Sequence, residues 1–174
     1  MNDVPSASPS SKSKEASKTS LNVDYINPFI EALINTFVTM IGEKPIREKI
    51  MIKGEGDDIF GVSAIIGLAG EASGSVVLTL NEDTAKSVVG KFTGATFDSL
   101  TSDVIDGVGE LTNIIAGDAK NRLSTKGYKF QIGLPKVVAG RNYIIMNTKN
   151  VPCIVVKFGS PLGNLSLEVC LKKG

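Results

Sequence analysis

Asp106, Glu110 and Asn113 carry the side chains in this chain most suited to chemistry, with Gly117 one turn beyond. Stepping about 100° per residue from Val108 puts Val104, Leu111, Ile115 and Ala119 within about 60° of one apolar line. Ile105 and Leu123 sit at the edge of that stripe. Asp106, Glu110, Asn113 and Gly117 collect on the opposite side, within about 40° of a common line. Two carboxylates and a carboxamide then project together from a helix, and Gly117 leaves room for another surface to approach. Such a face on an amphipathic helix is most often only solvated. Two features argue for more. Gly107, Gly109 and Gly117 each cost about 1 kcal/mol relative to alanine inside a helix. The face also lacks the lysines of a salt-bridged solvent face, Lys120 coming only a turn later.

The rest of the composition narrows the chemistry. There is no histidine and no tryptophan. That removes Ser-His-Asp and Cys-His nucleophile systems, histidine phosphotransfer and most zinc and iron sites. Two cysteines cannot supply a Cys₄ metal site or a dense disulfide framework. The 174 residues, 42% apolar and 21% charged, suit one globular domain. The net charge is +1, and setting aside residues 1–20 leaves 16 charges of each sign. A balanced domain has no broad footprint for nucleic acid or anionic membrane. No apolar run approaches a membrane span and the N-terminus has no apolar signal region, so a cytoplasmic location is expected.

Residues 1–20 hold seven serines and two prolines and read as a disordered Ser/Lys-rich tail. Residues 21–174 then form a single domain. A first helix is expected over 24–41, from Ile26, Phe29, Ile30, Leu33, Ile34, Phe37, Val38 and Ile41. Asp24 caps it, or Asn27 does with Pro28 in the first turn, and Gly42 stops it. Strands are expected over 47–53, 58–68 and 74–80, pairing antiparallel through tight connections at 54–57 and 70–71. Asn81 caps a short helix ending near Gly94. The long helix spans 100–126, with Ser102 as its cap and Gly127 as its stop. Further strands follow at 130–139, 152–158 and 164–172, with a possible one at 143–146. Helices and strands in blocks predict an α+β fold, helices on one face of a mostly antiparallel sheet.

Asp106-x₃-Glu110-x₂-Asn113, with Pro135 22 positions later, resembles the signature of the CheC/CheX/FliY phosphatases of bacterial chemotaxis. The run Gly109-Glu110-Leu111-Thr112-Asn113-Ile114-Ile115-Ala116-Gly117 is similar to that family's core motif. The stretch Pro135-Lys136-Val137-Val138-Ala139-Gly140-Arg141 looks like the strand that follows it. The single motif and the chain length favour the CheX branch. A second motif on the first helix is not matched. Glu31-Ala32-Leu33-Ile34 places isoleucine where asparagine is wanted, and Asn35 is one position late.

The resemblance implies a CheX-like/CheC-like fold with pseudo-two-fold symmetry. It also implies hydrolysis of the aspartyl phosphate of a CheY-type response regulator, with one site per chain. An acyl phosphate is already activated, so what is needed is a water held in line with phosphorus. A carboxamide both donates and accepts hydrogen bonds, which makes Asn113 the water-positioning residue. Glu110 would pair with the receiver's active-site lysine. Asp106, Gly117 and Pro135 would support the site and its surface. The chain needs no metal of its own, since Mg²⁺ would belong to the receiver. Members of this kind form homodimers by joining sheets, and the alternating terminal strands offer edges.

The alternative is a non-catalytic receiver-binding or flagellar-switch module on the same fold. Intact Glu110 and Asn113 favour the phosphatase. Cys153 and Cys170 read as ordinary strand residues. Lys44, Arg47, Lys49 and Lys53 alternate with Glu43 and Glu48 and read as solvated. Gly107-Val108-Gly109 lies within a helix and lacks the third glycine of a dinucleotide loop.

Overall fold

The computed structural model describes residues 23–54, 59–143, 145–146 and 149–174. The expected tail, and most of the connection at 54–57, lie outside the described residues. Helix α1 (Val23–Thr36) runs on through a π-helical turn (Phe37–Ile41). Strands β1 (Ile46–Ile52), β2 (Ile59–Gly70) and β3 (Ala72–Leu80) follow. Then come α2 (Glu82–Thr93), α3 (Ser102–Thr125), β4 (Phe130–Ile132), β5 (Lys136–Tyr143), β6 (Cys153–Gly159) and β7 (Leu165–Lys173).

The fold is α+β. One sheet has the order β1-β6-β7-β3-β2-β4, with β5 also on β2, and its pairings are antiparallel. The helices cover one face. Phe29, Leu33 and Phe37 of the first helical segment meet Val108, Leu111 and Ile115 of α3 in a single core over Ile66, Leu78 and Leu167. No described helix is long and apolar enough to cross a membrane.

Gly42 stops the first helical segment in the left-handed region at φ 81°, as expected. Asn81 caps α2, its side chain accepting from Thr84 N at 2.8 Å. The start of α1 corrects both alternatives: the helix already runs from Val23, so Asp24 lies in its first turn and Pro28 further inside, and neither Asp24 nor Asn27 is its cap. Tyr25 is buried, its ring 4.8 Å from Tyr128 and 5.8 Å from Phe130, and this packing draws the chain before Pro28 into the helix. On α3 the cap is Thr101, not Ser102; Thr101 Oγ1 accepts from Val104 N at 3.3 Å.

Strand pairing departs further from expectation. β2 and β3 form the expected hairpin, but β1 pairs with β6. The terminal strands are interior, β6 between β1 and β7, and β7 between β6 and β3. Edges are a non-local property, and alternation within a strand does not report them. The expected strand 130–139 is broken at Gly133-Leu134-Pro135. Ile132 pairs with Leu68 and Lys136 with Ile65, so three residues oppose two on β2. That is one residue too many, the signature of a bulge. Of the described residues in the stretch 143–146, only Tyr143, the end of β5, lies in a strand.

The cysteines are also corrected. Cys153 and Cys170 stand opposite each other in register, Cα atoms 4.1 Å apart, and are joined by a disulfide. Directly opposed residues of an antiparallel pair come within about 4.5–5.5 Å, so strand register, invisible in the spacing, brings them together. Beside them Lys53 Nζ pairs with Glu168 at 2.9 Å and donates to the Ile145 carbonyl at 3.0 Å.

Candidate active site

Helix α3 holds the candidate residues, and two of its glycines set its seat. A Cβ on Gly107 would meet Val89 of α2 at 2.5 Å. A Cβ on Gly109 would meet Val137 at 2.9 Å and Pro135 at 3.9 Å. The bare backbone therefore lies flush against α2 on one side and against the start of β5 on the other. Their cost in helix propensity is offset by this close approach. Gly117 differs: among the described residues, nothing lies within 4 Å of its would-be Cβ.

The buried stripe runs as the wheel predicts, through Val104, Val108, Leu111, Ile115, Ala119 and Leu123. Asp106 and Glu110 are exposed, and Asn113 and Gly117 half-buried. Pro135, remote in sequence, is brought to this helix by its approach to Gly109, next to Glu110. All five residues singled out from sequence thus belong to one region of α3 and the turn that abuts it. Thr112, between Glu110 and Asn113, is buried with its hydroxyl given to the Val108 carbonyl at 2.7 Å.

Among the described residues, the side chains of Asp106, Glu110 and Asn113 make no hydrogen bond or ion pair. One turn on, the polar groups are committed. Arg122 bonds Asp118 at 3.1 Å and Glu31 of α1 at 3.0 Å, and Asn35 donates to Asp118 at 3.3 Å. Glu31, the nearest candidate for a second motif, is held by this intramolecular pair, and Ile34 packs on the core. The Asp118–Arg122 half of the network is legible as an i, i+4 pair. The reach of Arg122 across to Glu31 is not.

Cys153, Glu168 and Cys170 bring potential ligand atoms within 4.8 Å of one another. The disulfide occupies both sulfurs and Lys53 occupies the carboxylate, so the cluster reads as structural.

A family model described as chemotaxis phosphatase CheX matches residues 62–159, which include Asp106, Glu110, Asn113, Gly117 and Pro135. The CheY-P phosphatase CheX of Thermotoga maritima is 26% identical over 118 residues, 67% of this chain and 76% of that protein. A CheC-like superfamily protein from Shewanella superposes with a TM-score of 0.82 at 36% identity, covering 87% of this chain and 99% of that one. The CheX–CheY–BeF₃–Mg²⁺ complex from Borrelia burgdorferi gives a TM-score of 0.76 at 29% identity, covering 87% and 100%. With the family model spanning more than half of its length, the chain belongs to the CheX family of chemotaxis phosphatases.

Proposed function

We propose that this chain hydrolyses the aspartyl phosphate of a CheY-type response regulator, with Asn113 positioning the attacking water. The observation that carries the reading is the free polar face of α3. Among the described residues, Glu110 and Asn113 stand uncommitted on a helix clamped by Gly107 and Gly109, while Asp118 and Arg122 further along it are tied into ion pairs. A group that must act on a partner has to be rigid in backbone and unoccupied in side chain.

The chemistry asks little of this chain. The acyl phosphate bond is reactive, and the phosphoryl group passes to water. Asn113 accepts a hydrogen bond from the water through its carbonyl oxygen and fixes the attack in line. Glu110 meets a lysine of the receiver, setting depth and orientation. Asp106 and Pro135 support that surface, and Gly117 lets the receiver come close. The face is acidic, so it repels a bare phosphate and suits one whose charge is already compensated. Mg²⁺ on the receiver supplies that compensation, in keeping with the composition of the Borrelia complex. A cytoplasmic location follows from such a substrate.

The test follows phosphate loss from phosphorylated CheY-type receivers with and without the chain. Faster loss is expected for the cognate receiver. Tight binding with no change in decay would instead identify a non-catalytic receiver-binding or switch module.

Dimerisation is proposed through β1. Among the described strands it pairs only with β6, leaving one edge open. Ile46, Ile50 and Ile52 on it are 70%, 48% and 73% exposed. An open strand edge with apolar side chains invites pairing with a second copy. Sedimentation equilibrium should find a dimer for the wild type and a shift to monomer for Ile50→Lys. A monomeric wild type rules the edge out.

A further inference from the structure

We infer that Leu134 is an apolar anchor for the receiver, holding it from the side of the β4–β5 bulge. The inference rests on the receiver-phosphatase reading and deepens it by naming a determinant of affinity outside the motif.

The geometry begins with the extra residue. Gly133, Leu134 and Pro135 oppose only Ile66 and Gly67 of β2, so the chain must push one residue out of the ladder. Bulges of this kind re-aim side chains and concentrate near active sites. Leu134 is 87% exposed, between two strands whose flanking apolar residues turn inward. Ile132 and Val137 both pack against the core.

The exposed leucine is also held still. On one side Gly133 N donates to the Gly67 carbonyl at 2.9 Å. On the other, Pro135 has a fixed φ and lies with Val137 against Gly109. A backbone tethered at both ends has little further freedom to lose on binding, which favours affinity.

Position completes the argument. Pro135 lies 3.9 Å from where a Cβ on Gly109, the residue before Glu110, would sit, and Leu134 is one peptide from Pro135. A standard interface of about 800 Å² per partner has a radius of about 16 Å. A receiver centred on Asn113 therefore extends over the bulge. The helix face offers it carboxylates and a carboxamide; Leu134 and Pro135 offer an apolar lip. Interfaces gain affinity where such an apolar side chain is removed from water beside a polar patch.

The experiment compares Leu134→Ala, Leu134→Met and Met146→Ala with wild type. Met146 is as exposed, at 89%, but lies beyond the far end of β5. Two quantities are read: Kd for a receiver loaded with beryllofluoride and Mg²⁺, and the dephosphorylation rate at saturating protein. Leu134→Ala should raise Kd about tenfold, as expected for losing much of one buried leucine. The saturated rate should hold, Leu134→Met should recover most of the affinity, and Met146→Ala should bind as wild type. Unchanged Kd for Leu134→Ala, or an equal loss for Met146→Ala, overturns the anchor. The two readings fail separately. A wild type that binds but does not dephosphorylate, and still loses affinity on Leu134→Ala, keeps the anchor and sinks the phosphatase. A wild type that binds no phospho-receiver sinks both.

Discussion

Replacing Asn113 by alanine is expected to lower the single-turnover rate of receiver dephosphorylation by about 10²-fold, as for removal of a single transition-state stabiliser. Affinity for a beryllofluoride-loaded receiver should stay near the wild-type value. Asn113 lies outside the buried stripe of α3 and makes no hydrogen bond among the described residues, so its loss opens no cavity and orphans no partner. Alanine is the better helix former, and stability should change little. What disappears is the group proposed to order the water. An interaction made mainly in the transition state appears in kcat and not in binding. The measurement is phosphate release at saturating protein beside a binding titration. A mutant as fast as wild type would show that water is positioned by another group.

The face bearing this residue was readable because it depends on one local rule, the 3.6-residue period. Asp106, Glu110, Asn113 and Gly117 come to one side of α3 by counting alone, and the structure leaves the first three exposed or half-exposed. The glycines were legible as an anomaly but not as a cause. Only the packed structure shows that Gly107 answers to Val89 and Gly109 to Pro135 and Val137. Pro135 entered through the family resemblance, because its approach to Gly109 depends on how β5 lies against the helix.

Sheet order was the least legible feature. The alternation in β7 marks a strand with one face in the core, yet cannot say that β6 and β3 flank it. The bulge escaped for a related reason. Residues 130–139 look like one strand, and the extra residue exists only as a mismatch with β2. The disulfide is of the same kind, since Cys153 and Cys170 meet through the β6–β7 register. Local signals therefore pick out the proposed site, while non-local pairing sets the surfaces around it.

Glu110→Ala is expected to act on the other half of the reaction. Kd for the loaded receiver should rise by about 30-fold, some 2 kcal/mol, the lower end for truncating one side of a desolvated charge pair. In the free chain Glu110 is exposed and unpaired among the described residues, so the substitution removes no internal support and should not lower Tm. Its cost arises in the complex, where the receiver's lysine would be covered without a counter-charge. Glu110→Gln separates charge from shape: it keeps the length and a hydrogen-bonding end but cannot neutralise the lysine, so it should recover only part of the affinity. Raising salt should weaken wild type more than either mutant, because a screened attraction has more to lose. At saturating protein the Glu110 variants should keep more of the wild-type rate than Asn113→Ala, since the water is still held. Unchanged affinity and salt dependence in Glu110→Ala would remove the docking role and leave Asn113 to act on a receiver held by other contacts.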